Sequence, residues 1–101
     1  MILFYVPFPN KKDAKKAAVA LLRKKLIACA NIFPSQSMFT WEGKTKDTKE
    51  YVAIFKTSEK NQNMVKTEIK KSHPYALPAI IRIKSRANNE FEKWVEKQTK
   101  P

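Results

Sequence analysis

The chain has 101 residues, of which 21 are lysine or arginine and nine are aspartate or glutamate, so its formal net charge is +12. This length predicts a single domain over residues 1–101, and a chain this short buries little surface unless it shares a core with copies of itself. Its one glycine and one cysteine exclude low-complexity linkers, glycine-rich phosphate loops and an internal disulfide.

We expect neither a secretion signal nor a membrane span in this sequence. No basic segment precedes the apolar run "MILFYV" in the manner of a secretion signal. No apolar run approaches the roughly 20 residues that a membrane span needs. We therefore expect a soluble, cytoplasmic protein with no membrane partner.

The +12 charge has two interpretations. Basic residues attract phosphate backbones without sequence preference, so charge-driven binding of nucleic acid or small anions is the first. However, only Arg23, Arg82 and Arg86 among the basic residues are arginine, and arginine is the better residue for bidentate phosphate recognition. A solvated coat of lysines is therefore favoured over a nucleic-acid interface.

The first half of the chain predicts a strand, a helix and a second strand whose extended continuation leads into a hairpin turn. "MILFYV" is an unbroken apolar run of strand formers, typical of a strand covered on both faces. Asn10 is a suitable N-cap for a helix over about residues 11–25, where alanine and leucine recur every three and four positions. "LIACANIF" predicts a second strand, broken by Pro34, and "SMFTWEGK" resumes extended structure before "KTKDTK", which predicts a hairpin turn.

The second half predicts a strand, a helix, a strand and a terminal helix. "EYVAIFKT" is another apolar strand, and Ser58 is a good N-cap for a helix that must end before Pro74. "PAIIRIKS" predicts the last main strand. "NNEFEKWVEKQ" predicts a short C-terminal helix capped by Asn88 or Asn89.

This order of elements predicts an α+β fold of the ferredoxin-like, split βαβ type. Four antiparallel strands form one sheet with both main helices on one face, and the short C-terminal helix is added to this plan. The helices cover only one face, although the strands are apolar at consecutive positions. We expect another subunit to cover the second face.

The segment "HPYALP" holds the only histidine. Pro74 ends the preceding helix and Pro78 favours extended structure before it, so the loop presents His73 and Tyr75 in fixed directions. Imidazole suits Cu(II), but copper or zinc requires about three or four ligands, and besides His73 the chain offers one cysteine, with the Glu42 and Glu50 carboxylates as further candidates. A hydrogen-bonded cleft residue is the alternative for His73.

Three other features have structural and functional interpretations. Cys29 has apolar neighbours, as a buried free thiol would. Trp41 in the hairpin suits packing at a subunit contact as well as a ligand site. Lys56 and Thr57 precede a helix N-terminus, where a small anion could bind.

No acid/base pair, nucleophile triad or complete metal set is present, so we predict a non-enzymatic protein.

Five short motifs together resemble the CutA divalent-cation tolerance family. They are "LIACANI", "SMFTWEGK", "KEYVAIFKT", "HPYALP" and a tryptophan in the terminal helix. They occur in the order and approximate spacing of that family, and the resemblance as a whole extends from Ile2 to Trp94. The resemblance therefore covers nearly the whole chain.

The resemblance implies the same ferredoxin-like fold, assembled as a tight homotrimer similar to the signal-transducing trimers of the PII type. It implies a function linked to copper and other divalent cations, with a divalent cation as candidate ligand beside the small anion considered at Lys56 and Thr57, and with no required cofactor. Val6 and Ser72 stand where some members carry a thiol and a second histidine, so His73 is the one predicted metal ligand. The implied cleft between subunits would draw on Asn31, Trp41, Glu42, Lys44, Glu50, Lys56, Thr57, His73 and Tyr75.

Overall fold

The computed structural model describes all of residues 1–101. Strands and helices follow one another as β1 (Ile2–Phe8), α1 (Lys11–Arg23), β2 (Cys29–Trp41), β3 (Lys44–Thr57), a 3₁₀ turn (Glu59–Asn61), α2 (Gln62–Ser72), β4 (Ile81–Lys84) and α3 (Asn89–Gln98). None of the helices is long and apolar enough to cross a membrane.

The four strands form one antiparallel sheet in the order β2-β3-β1-β4. Each helix-containing crossover leads to a strand two places away, with β1 and β3 in the centre. This is the split βαβ arrangement, so the predicted ferredoxin-like α+β fold is confirmed.

The hydrophobic core lies between the sheet and helices α1 and α2. Along β1 every second side chain is buried, from Ile2 to Phe8. These side chains form one cluster with Ala14 and Leu21 of α1 and with Ile69 of α2. Both helices therefore cover the same face of the sheet, as predicted, and the opposite face, which we call the open face, stays partly exposed.

The tip of the long β2–β3 hairpin corrects one prediction. "KTKDTK" does not form the turn but is the first part of β3. The turn consists of Glu42 and Gly43, both with positive φ, of 50° and 75°. Two left-handed residues match the right-handed twist of the flanking strands, which favours this short connection.

Pro34 does not break β2, in contrast to the prediction. The strand continues through it from Cys29 to Trp41, with Pro34 opposite Tyr51 of β3. Because β2 lies at the edge of the sheet, a residue without an N–H group can be accommodated there.

Several element ends also differ from the predictions. Asn10 caps α1 as predicted, since its side chain accepts a hydrogen bond from the Asp13 N–H at 2.8 Å. The helix ends at Arg23 because Lys25 adopts a left-handed conformation with φ of 56°. Ser58 precedes the 3₁₀ turn without a side-chain capping bond, so α2 begins only at Gln62.

Candidate functional site

The loop after α2 is anchored by His73. The helix ends at Ser72, and Pro74 prevents its continuation. His73 Nδ1 accepts a hydrogen bond from the Tyr75 N–H at 3.1 Å, so Nε2 carries the ring proton and donates to the Pro7 carbonyl at 2.8 Å. His73 is 9% exposed, and its ring stacks on Phe8 with centroids 4.5 Å apart.

The hydrogen bonds of His73 compete with its predicted role as a metal ligand. Both ring nitrogens form hydrogen bonds with the backbone, so a metal ion would have to displace Pro7 or Tyr75. No group of three or more His, Cys, Asp or Glu side chains in the chain could hold a metal ion. The residues of one chain therefore do not fit a copper or zinc site, which needs about three or four ligands.

Tyr75 and Glu50 form a hydrogen-bonded pair on the open face. The Tyr75 hydroxyl donates to Glu50 Oε2 at 2.6 Å, and Glu50 is only 7% exposed. Burial and the neighbouring Glu50 carboxylate raise the pKa of the Tyr75 hydroxyl above its usual range. Tyr75 therefore stays protonated and remains a hydrogen-bond donor at physiological pH.

This pair lies beside a groove of about 520 Å³ between the β2–β3 hairpin and the loop after His73. Alternation along β3 places Lys46, Thr48 and Glu50 on the open face, and alternation along β2 does the same for Phe39 and Trp41. The groove is lined by Pro7, Phe39, Trp41, Lys46, Thr48, Glu50, Tyr75, Ala76, Leu77 and Ala79.

Of the nine predicted cleft residues, three line this groove, namely Trp41, Glu50 and Tyr75. His73 lies behind it and fixes the position of Tyr75 through the loop backbone. Asn31, Glu42 and Lys44 are exposed on the hairpin and do not line it.

Lys56 and Thr57 lie at the other end of β3, where alternation along the strand places their side chains on opposite faces of the sheet. The Thr57 hydroxyl is fully buried and donates to the Leu26 carbonyl at 2.6 Å. The Lys56 ammonium lies 5.5 Å from the centroid of the Phe91 ring. Cys29, predicted to be buried, is half-buried at the start of β2.

Sequence reasoning missed Phe39, Lys46 and Thr48 as groove residues. Their roles depend on the hairpin register, in which Phe39 is opposite Lys46 and Ser37 is opposite Thr48. The signal was the glycine after Glu42, which marks the turn and thereby sets the register.

Comparison with known proteins is consistent with this fold along the whole chain. The family model for the CutA1 divalent ion tolerance protein matches residues 2–98. The divalent-cation tolerance protein CutA of Pyrococcus horikoshii is 43% identical over 101 residues, which is 99% of either chain. Its counterpart in Thermotoga maritima is 41% identical over 96 residues, 94% of this chain and 95% of the relative.

Solved structures are similarly close. The crystal structure of CutA1 from Pyrococcus horikoshii superposes with a TM-score of 0.95 at 41% identity, with all of both chains covered. The PII-like protein CutA from Nostoc shares the fold, with a TM-score of 0.93 at 24% identity over 99% of this chain and 98% of that one. The chain therefore belongs to the CutA1 divalent ion tolerance family.

Proposed function

We propose that the protein is a non-enzymatic homotrimer that binds a small ligand in the groove beside Tyr75, with a neighbouring subunit completing the site. Ligand occupancy would serve as a signal in the response to divalent cations, in keeping with the name of the family. A single domain over residues 1–101 and a cytoplasmic location are parts of the same proposal.

The open face of the sheet supports the assembly. Exposed Phe33, Ile81 and Ile83 lie on this face, and Leu3 and Tyr5 between them are half-buried. A contiguous apolar surface on a folded protein usually marks an interaction site. Since the groove opens on the same face, a subunit packed there would lie at its edge.

The Glu50–Tyr75 pair is the observation that carries the ligand-binding proposal. Glu50 is only 7% exposed, so its carboxylate is costly to desolvate, and one hydrogen bond from a tyrosine hydroxyl compensates only part of that cost. The pair contributes polar groups to an otherwise largely apolar groove with aromatic walls. A few polar groups converging in an apolar concavity are the usual features of a small-molecule site.

Direct binding of Cu(II) or another divalent cation through His73 remains the metal alternative. It requires ligands from more than one subunit, because one chain provides no group of three. It predicts a Cu(II) affinity that falls when His73 is replaced by alanine.

A native mass spectrum of the protein as purified from cells tests the proposal, since it reports both the oligomer and any retained ligand. We expect a trimer whose mass exceeds that of three chains, and this excess mass is the retained ligand. Thr48→Trp should fill the groove and abolish that excess mass, whereas the same exchange at exposed Thr67 on α2 should leave it unchanged. A monomer, or excess mass retained by Thr48→Trp, would contradict the proposal.

Polyanion binding is a second candidate, favoured by the distribution of charge. Residues 11–25 and 59–72, which include α1 and α2, contain eleven basic and three acidic residues. These helices lie on the face opposite the groove. Charge-driven binding to nucleic acid would therefore leave the open face available for assembly.

Titration of labelled poly(dT) at several salt concentrations tests this second function. Affinity should fall steeply and linearly with the logarithm of the salt concentration. The double exchange Lys66→Glu and Lys70→Glu on α2 should weaken binding more than Lys93→Glu and Lys97→Glu on α3, which change the net charge equally. Absence of poly(dT) binding at low salt would exclude polyanion binding as a function.

A further inference from the structure

We propose that the groove selects a small organic cation, an ammonium group on an apolar body, and that Glu50 is its counter-ion. This inference rests on the proposed function, in which the groove is the ligand site. It adds the charge and the chemical class of the ligand.

The first argument is that the charge of Glu50 is not balanced within the chain. Glu50 is 7% exposed, and its carboxylate accepts one side-chain hydrogen bond, from the Tyr75 hydroxyl. All four ion pairs of the structure involve other carboxylates, those of Glu59, Glu68 and Glu92.

This absence is notable because the chain has 21 basic residues and only nine acidic ones. A nearly buried carboxylate without a cation is destabilising, so its presence in such a basic chain points to a cation supplied from outside the chain.

The second argument concerns the two oxygens of Glu50. Tyr75 donates to Oε2, and no side chain donates to Oε1. Because the Tyr75 hydroxyl remains protonated, it holds the carboxylate in place without neutralising it. Oε1 therefore remains an acceptor for an N–H group of a ligand in the groove.

The aromatic walls supply the third argument. Trp41 is 46% exposed and Phe39 is 42% exposed, and both line the groove with Tyr75. The faces of aromatic rings attract ammonium groups, most strongly where water is excluded. Leu77 and Pro7 add apolar surface for the body of the ligand.

Lys46 limits the ligand to one positive charge. It lies four residues before Glu50 on the same face of β3, so their Cα atoms are about 13 Å apart. Its ammonium would repel a second cation at that end of the groove. The far end of the ligand is therefore neutral or anionic.

Calorimetric titration with three matched compounds tests the inference. These are 2-phenylethylammonium, neutral 2-phenylethanol and anionic 3-phenylpropionate. We expect the cation to bind most tightly, and Glu50→Gln to weaken its binding at least about tenfold while leaving the alcohol unaffected. Glu90→Gln, an equal charge change at an exposed site on α3, should have no effect.

Other outcomes separate the failure of this inference from the failure of the proposed function. Equal or tighter binding of the alcohol or the acid would overturn the inference that the ligand is a cation but would keep the groove as a ligand site.

A basic side chain of a neighbouring subunit would provide the same ammonium chemistry as a small organic cation. In that case Glu50→Gln would dissociate the oligomer and none of the compounds would bind, which also overturns the inference. If no compound binds and the Thr48→Trp variant keeps the excess mass seen in the native mass spectrum, the groove is not a ligand site and the proposed function fails.

Discussion

His73 connects three parts of the molecule through one imidazole ring. It donates to Pro7 at the end of β1, accepts from the backbone of Tyr75 and stacks on Phe8 of the core. A ring with both nitrogens bonded in this way sets the conformation of the loop. The position of Tyr75, and hence of the groove wall, depends on it.

Replacing His73 with phenylalanine tests this positioning role. The ring can still stack on Phe8, but the Pro7 carbonyl and the Tyr75 N–H lose their partners. We expect a loss of about 1–3 kcal/mol in the free energy of unfolding, measured with denaturant. Ser72→Ala, which removes an exposed hydroxyl next to it, should change stability by less, and equal effects would contradict the role.

At the scale of elements, one ion pair joins the end of α1 to α2. Lys24, just after α1, donates to Glu68 of α2 at 2.7 Å, and Lys71 lies 3.9 Å away from the same carboxylate. The hydrogen bond from Lys24 lowers the pKa of Glu68 below its usual value, aided by both positive charges and opposed by partial desolvation.

The lowered pKa of Glu68 predicts how stability depends on pH. A carboxylate with a lower pKa in the folded state stabilises the fold above its unfolded pKa, near 4.5, and this stabilisation is lost as the pH falls through the folded value. Glu68→Gln should therefore lower the melting temperature slightly at pH 7, because the pair is exposed. The difference from the wild type should disappear in acid, and a difference constant over all pH values would contradict the assignment.

At the scale of the whole molecule, the two faces of the sheet differ in charge and polarity. The helical face carries most of the excess lysines, and the open face carries the exposed apolar residues of β4 and the groove. Assembly through the open face would bury apolar surface and leave the lysines separated in solvent. It would thus avoid the repulsion that a net charge of +12 for each subunit creates.

Two variants with the same exchange distinguish the faces. Ile83→Lys on the open face should convert the proposed trimer to a smaller species in light scattering, because it places a charge in the proposed apolar contact. Leu22→Lys on α1 should remain trimeric. The two residues are 42% and 43% exposed, so exposure does not explain a difference. A trimer in both variants would place the interface elsewhere.

Part of the fold could be predicted from the sequence because local signals were sufficient. Apolar runs identified the strands, Asn10 identified the start of α1, and Pro74 required α2 to end before it. Where the predictions were wrong, non-local pairing decided the outcome. Pro34 continues a strand because that strand lies at the edge of the sheet, and "KTKDTK" is a strand because the preceding Glu42–Gly43 turn fixes its register.

The sequence by itself determined the order of elements, the family and the rigid loop that carries His73 and Tyr75, since these depend on periodicity, proline geometry and short motifs. Only the tertiary structure decided which of these side chains meet. Glu50 and Tyr75 are 25 positions apart, and Pro7 and His73 are 66 apart. Contacts over such separations follow from strand register and the path of the chain, which no local pattern contains.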